Sequence, residues 1–288
     1  MLDPLPNALL PLAALTITAL GACVGSFLNV LAWRLPRQES LLRPRSHCPH
    51  CGSTLRWFEL VPLLSWLLQR GHCRHCGAGI ALRYPAVEAL TAGLFMAAAA
   101  ASPSALGSAP PSLLVLLAGW LLVALLLPLL LIDLDHLWLP EPICRWGVVL
   151  GLVVSAIAGF SQGEAPGRAL LLWHLLAASA GLLGFEAVSA GAARLLGKPA
   201  LGLGDAKLAA LLGAWLGLTG LGLMVALAVL SGALLGLLAR LSGRLRPGQP
   251  MPFGPFLAVA GLAVWFGGNG RWLQLLLPAL GWGEPGHL

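Results

Sequence analysis

The feature that most constrains this chain is the run Leu113–Ile132, which carries no charged side chain from one end to the other. At about 1.5 Å per residue, a helix of that length rises about 30 Å, the thickness of a bilayer's hydrocarbon core. A water-soluble fold would have to cover such a run with a polar shell. With 58% hydrophobic residues, 10% charged residues and a mean hydropathy of +0.86, the chain has no such shell to offer. In lipid the backbone must satisfy its own hydrogen bonds, which leaves the helix. Apolar segments at about 8–32, 86–101, 112–132, 143–160, 168–190, 206–219, 221–240 and 252–268 therefore predict an all-α polytopic membrane protein with about eight transmembrane helices. Pro85, Pro110-Pro111, Pro140, Pro142, Pro166, Pro247 and Pro250 punctuate the joins. Segments 86–101 and 206–219 are short for a span, and 272–282, broken by Pro278 and Gly281, reads as interfacial or irregular.

The charges orient these segments. Asp3 and the lack of any Lys or Arg before Arg34 leave no basic start for a secretory signal, so the first segment is expected to stay as a helix. Arg34, Arg37, Arg43, Arg45, Arg56, Arg70, Arg74 and Arg83 all fall between the first and second segments. A basic cluster can bind nucleic acid, but the positive-inside rule explains it with less and makes the loop cytoplasmic; no nucleic-acid partner is expected. Alternation then turns 133–142, 191–207 and 241–251 inward, with Arg145, Arg194, Lys198, Lys207, Arg244 and Arg246 on that side. Loops 102–111 and 161–167 face outward, as do both termini, and Arg168 and Arg271 are the outer cations. The plan is a first transmembrane helix in 1–33, a cytoplasmic insert in 34–84 and a membrane core in 85–288. No repeat of fixed period is evident, and Gly213, Gly217, Gly220 and Gly222 suit close helix packing.

The insert holds two pairs, Cys48-Pro-His-Cys51 and Cys73-Arg-His-Cys76. Each pair can clamp one edge of a tetrahedral ion, and two pairs close a structural zinc site. Gly52 and Gly77 follow the pairs and allow the tight turn that aims amides at the thiolates. Disulfides are disfavoured by a reducing cytoplasm. A redox pair occurs once, beside a βαβ pattern that is absent here. His47, His50, His72 and His75 are alternative ligands, although the repeated spacing needs none of them. An insert of about fifty residues has too little core to be stable alone, so metal binding contributes to its folding. Cys23 and Cys144, in apolar surroundings, read as small buried hydrophobes.

Acidic residues are scarce, and ionisable groups at membrane depth are costly unless they function or pair. Asp133 closes a long apolar segment and Asp205 opens another, and the topology puts both at the cytoplasmic face. Two carboxylates brought together there cannot both ionise, which is the raw material of an aspartyl peptidase. Capping of helix ends, with Asp205 as an N-cap, or pairing with Lys207 and Arg145, explains such acids equally well. Asp135, two positions from Asp133, points nearly the opposite way on a helix. Glu88 and Glu186 can serve as interhelical hydrogen-bonding groups. A transporter or assembly scaffold, with the acids binding a cation or a helix, is the reading from another class.

An ordered set of motifs adds to this. Gly25-Ser-Phe-Leu-Asn-Val-Leu-Ala-Trp-Arg-Leu-Pro36, Pro44-Arg-Ser-His-Cys-Pro-His-Cys51, Pro62-Leu-Leu-Ser-Trp66, Arg70-Gly-His-Cys-Arg-His-Cys76, Arg83-Tyr-Pro-Ala-Val-Glu88, Gly202-Leu-Gly-Asp205 with Lys207, and Pro252-Phe-Gly-Pro255 run through the chain. In that order they resemble the type IV prepilin peptidases, the bifunctional leader peptidase and N-methyltransferase family. The resemblance implies Asp133 and Asp205 as the catalytic pair and a metal on Cys48, Cys51, Cys73 and Cys76. It implies cleavage of prepilin or pseudopilin precursors at the cytoplasmic side of a bacterial inner membrane. It also implies methylation of the new amine from S-adenosylmethionine, whose binding residues no nucleotide signature in the insert locates. Gly202 and Gly204 would let backbone approach the substrate closely. One departure stands out: where the family has Leu-Pro-Asp, this chain has Leu139-Pro140-Glu141, which keeps the charge and lengthens the side chain.

Overall fold

The computed structural model describes residues 10–100, 112–197, 201–246, 249 and 251–279. The expected outward loop 102–111, Lys198, Pro110, Pro111, Pro247, Pro250 and Gly281 lie outside these. Among the described residues the elements are helices: α1 (Leu10–Arg34), α2 (Leu64–Leu68), α3 (Arg83–Ala100), α4 (Ser112–His136), α5 (Glu141–Phe160), α6 (Glu164–Leu196), α7 (Leu203–Leu241), α8 (Gly254–Gly267) and α9 (Asn269–Ala279). Among the described residues, five stretches are long and apolar enough to cross a bilayer: Pro11–Arg37, Leu113–His136, Glu141–Phe160, Glu164–Leu195 and Leu203–Leu241. The helical class is as expected, and the five fall short of the expected eight for local reasons. Arg83 and Glu88 dilute the apolar character of α3, α8 has only 14 residues, and the segments expected at 206–219 and 221–240 run together in α7. Of the segment 272–282, expected to be interfacial or irregular, the described part belongs to a helix of 11 residues, Asn269–Ala279. Leucines such as Leu15, Leu113, Leu183 and Leu230 stand exposed along these helices, each 60% or more, the inside-out surface that lipid accepts and water does not.

The chain divides into two compact units, residues 1–99 and 100–288. In the first, α1 and α3 meet backbone to backbone. A Cβ on Gly21 would stand 2.7 Å from Ala92 Cα, and one on Gly25 would stand 2.9 Å from Glu88 Cα, so this Gly-x-x-x-Gly face admits no side chain. Cys23 lies between the two glycines but is exposed, not buried as expected, because it points away from that contact. The segment leaving α1 is organised by Arg34, which is buried and donates to the carbonyls of Ser40 (2.9 Å) and Pro44 (2.8 Å). Glu88 reaches out of α3 rather than to another span. Its Oε2 accepts the Leu63 amide at 2.7 Å and holds a turn in which Leu63 has a φ of 62°.

In the second unit the first arm of α7 is the central element. Residues 208–216 are buried on every side, as suits a helix surrounded by other helices. Its neighbours make room with small residues. Gly151 of α5 accepts the Trp215 ring and Gly261 of α8 accepts Leu212, while a Cβ on Gly181 of α6 would stand 2.6 Å from the Ala209 carbonyl oxygen. The Trp215 indole also donates to the Gly147 carbonyl at 2.9 Å. If straight, α7 would span about 58 Å at the usual helical rise, nearly twice a bilayer core. It is not straight: Gly217 has φ 67° and ψ 179°, a conformation that glycine alone adopts readily. The Ala214 carbonyl, near the break, accepts a 2.9 Å bond from buried His174. Along α8, Gly261 lies beside Leu212 and Val264 beside Gly220, after which Phe256 lies beside Gly232. Numbers in α8 therefore rise along the first arm and fall along the second, and the chain reverses at Gly217. Of the glycines expected to serve packing, Gly213 and Gly220 do, Gly217 makes the reversal, and Gly222 faces open space.

Candidate active site and metal centre

Asp133 ends the buried stripe of α4. Ala118, Leu122, Leu126 and Leu129 recur at helical spacing on the core side, and the next position on that stripe is Asp133, 6% exposed. Asp135 lies two residues on and is exposed. Asp205 sits in the first turn of α7, at the mouth of the central arm. Its Oδ2 accepts the Gly202 amide at 3.1 Å, so Gly202 is the N-cap and Asp205, three residues on, caps it from inside the helix, which sets aside the alternative of Asp205 as N-cap. The Asp205 carboxylate lies within electrostatic range of Asp133. Leu139, in the turn after α4, packs on Gly204, where a Cβ would stand 3.0 Å from its own. Gly204 thus admits this leucine, where an approaching substrate backbone had been expected. Asp133 Oδ2 is buried and has no hydrogen-bond partner among the described residues. A buried acceptor left open in this way is an exception to be explained, and active sites are where such exceptions collect.

Lys207 is bound elsewhere. Its ammonium pairs with Glu141 Oε2 at 2.8 Å, joining α7 to α5 beside the acids. That contact gives the departure at Leu139-Pro140-Glu141 a structural role: the longer side chain still reaches the lysine. The alternative pairing of Lys207 with Asp205 is not formed.

The insert gathers Cys48, Cys51, Cys73 and Cys76, whose sulfurs all lie within 4.8 Å of one another, with Cys48 and Cys76 3.8 Å apart. A tetrahedral ion with metal–sulfur bonds of about 2.3 Å has sulfur–sulfur edges of about 3.8 Å, so the donor set fits one metal. The two pairs are built alike. The Gly52 amide donates to the Cys48 carbonyl and the Gly77 amide to that of Cys73, each at 2.9 Å, and both glycines have a φ near +70°. His47 and His72 turn Nδ1 to the carbonyls of Arg45 and Arg70 within their own turns, and the group that could hold a metal is made of the four cysteines. The Ser53 hydroxyl, 3.3 Å from Cys51 Sγ, and the Ser53 amide pull that thiol down to about 6. Cys76 goes the other way. The Ala78 amide favours its thiolate, but burial and the crowding sulfurs of Cys51, Cys73 and Cys48 outweigh it and push the thiol up to about 11. Four sulfurs this close repel as thiolates, and a cation among them removes the conflict.

Sequence comparison agrees with this arrangement. The model of the Bacterial Peptidase A24 N-terminal domain matches residues 19–102, and that of the Type IV leader peptidase family matches residues 116–237. The Prepilin leader peptidase/N-methyltransferase of Myxococcus xanthus is 38% identical over 244 residues, covering 84% of this chain and 68% of the relative. Those of Burkholderia pseudomallei (strain 1026b) and Aeromonas hydrophila are 37% and 38% identical, covering 89% and 86% of this chain and 86% and 89% of the relatives. The chain belongs to the type IV leader peptidase family. No solved structure matches it.

Two features of this leader peptidase escaped the sequence reading. The segments 45–52 and 70–77 are copies of one Arg-x-His-Cys-x-His-Cys-Gly unit, a short internal repeat that reading for a period along the whole chain passes over. Gly254, in the Pro-Phe-Gly-Pro motif, touches Asp133: a Cβ there would stand 2.6 Å from Oδ2. The motif was visible, but its contact partner, more than a hundred residues away, was not.

Proposed function

We propose that this protein removes the leader peptide of type IV prepilin-like precursors at the cytoplasmic face of a bacterial inner membrane, and methylates the exposed amine from S-adenosylmethionine. The observation that supports the peptidase half is that Asp133, at the end of α4, lies within electrostatic range of Asp205, at the start of α7. Two carboxyls in one site ionise in turn, so one carboxylate and one carboxylic acid coexist. The carboxylate takes a proton from water, and the resulting hydroxide adds to the scissile carbonyl while the acid donates to its oxygen. Collapse of the tetrahedral adduct expels the amine, which leaves with the proton first taken from water.

Cys48, Cys51, Cys73 and Cys76 hold one zinc ion, which folds the insert and takes no part in cleavage. The arginines of residues 34–84 keep that insert in the cytoplasm, and residues 85–288 form the membrane core. Counting the two arms of α7 separately, with α1, α3, α4, α5, α6 and α8, gives eight crossings. The names of the relatives support the methyl-transfer half, to which no residue is assigned.

The test is to incubate membranes holding the protein with a prepilin precursor and methyl-labelled S-adenosylmethionine. The expected product lacks its leader and carries label on the new N-terminal amine. An uncut precursor contradicts the reading, and a cut but unlabelled product removes its second half.

A further inference from the structure

We propose that Pro252-Phe253-Gly254-Pro255 is the positioning element for Asp133: the start of α8 seats on the carboxylate and fixes its orientation. The inference rests on the reading of Asp133 as a reacting acid and adds the group that fixes it.

Three observations carry it. The Asp133 side chain is 6% exposed, with Oδ2 unpartnered among the described residues, and it points at the first residue of a 14-residue helix. Asp133 closes its own helix, where the dipole disfavours negative charge, whereas the start of α8 favours it. Second, the contact is possible only without a side chain. A Cβ on Gly254 would lie 2.6 Å from Oδ2 and 3.1 Å from Cγ. Third, the motif leaves the turn few donors. Pro252 and Pro255 have no amide hydrogen, and the amides of Phe256 and Leu257 are bonded to the Phe253 carbonyl at 3.0 and 3.2 Å. The amides of Phe253 and Gly254 remain, and the Gly254 backbone lies against the Asp133 carboxylate. Close backbone contact at this point fixes the orientation of the carboxylate.

Gly254→Ala tests this. A methyl at 2.6 Å must displace the carboxylate, and a shift of about 1 Å in a reacting group costs about 100-fold in rate. Cleavage kcat is expected to fall by about that factor with KM within about twofold, because the substrate still binds. Methylation of a precursor supplied already cut should persist, and Gly222→Ala, where a Cβ meets open space, should cleave as wild type does. A kcat unchanged by Gly254→Ala overturns the proposal, as does a joint loss of cleavage, substrate binding and methylation from protein that still accumulates. If Gly254→Ala does not accumulate, Gly254→Ala with Asp133→Ala should restore accumulation and methylation of cut substrate, because the clash is with that carboxylate; failure of the rescue overturns the proposal. Asp133→Asn alone separates the two levels. If it cleaves normally, the reading of Asp133 fails, whereas if it is inactive beside an active Gly254→Ala, only the positioning role fails.

Discussion

Substituting Gly217 by alanine puts the reversal of α7 to a quantitative test. At φ 67° and ψ 179° a non-glycine residue occupies one of the least populated backbone regions, at a cost of about 1–3 kcal/mol. The added Cβ also meets Trp173 Cδ1 at 3.1 Å and His174 Nε2 at 3.3 Å, and crowding of this kind adds about 1 kcal/mol or more. The sum is a loss of about 2–5 kcal/mol. Gly222, five residues on, supplies the opposite case. It is helical and a Cβ there touches nothing, so alanine should gain up to about 1 kcal/mol from helix propensity. Equilibrium unfolding of the two variants by dodecyl sulfate in mixed micelles should move their midpoints in opposite directions from wild type. If Gly217→Ala is as stable as Gly222→Ala, α7 runs through position 217 as ordinary helix and the reversal is wrong.

Other outcomes follow from the same contacts. Metal analysis of the purified protein should find one zinc per chain, and Cys48→Ser or Cys73→Ser should lose it and open the insert to added protease; full zinc content in either variant would remove that cysteine from the site. Glu88→Ala strands the Leu63 amide, a charge-assisted bond worth about 1.5–3 kcal/mol, and should speed proteolysis near residues 57–70; an unaltered cleavage pattern would show that the turn holds without it. The Lys207–Glu141 pair is largely exposed, with side chains 39% and 62% accessible, so Glu141→Ala should cost less than about 1 kcal/mol, a cost that shrinks further in salt. A larger, salt-independent loss would mean that the pair is buried in the working enzyme.

What the sequence revealed and what it concealed divide along physical lines. Helices in lipid announce themselves through uninterrupted apolar runs, and α4, α5 and α6 stand where those runs are. Metal sites announce themselves through fixed spacing, because four thiolates around one small ion leave little freedom, and both cysteine pairs were legible. Asp133 and Asp205 were legible as rare charges at the ends of apolar runs. The reversal at Gly217 was half visible. Two segments, 206–219 and 221–240, were separated about three residues past the break, since hydropathy does not mark which of several glycines takes a positive φ. Arg34 read as a topology signal, and only tertiary structure shows its guanidinium tying down the carbonyls of Ser40 and Pro44. Gly254 was hidden for a related reason: a missing side chain has meaning only once the group pressed against it is known. The segment 272–282 looked irregular because Pro278 and Gly281 drew attention, yet a proline near the end of a helix interrupts little of it.

The account depends on Asp133 and Asp205 working as one unit, which a double-mutant comparison measures directly. Precursor cleavage rates are taken in membranes for Asp133→Asn, Asp205→Asn and the double variant, each normalised to the protein present. Groups that act together are lost together, so all three rates should fall to the same residual level. A substantial rate in either single variant, or a double variant slower by the product of the two single losses, would contradict it.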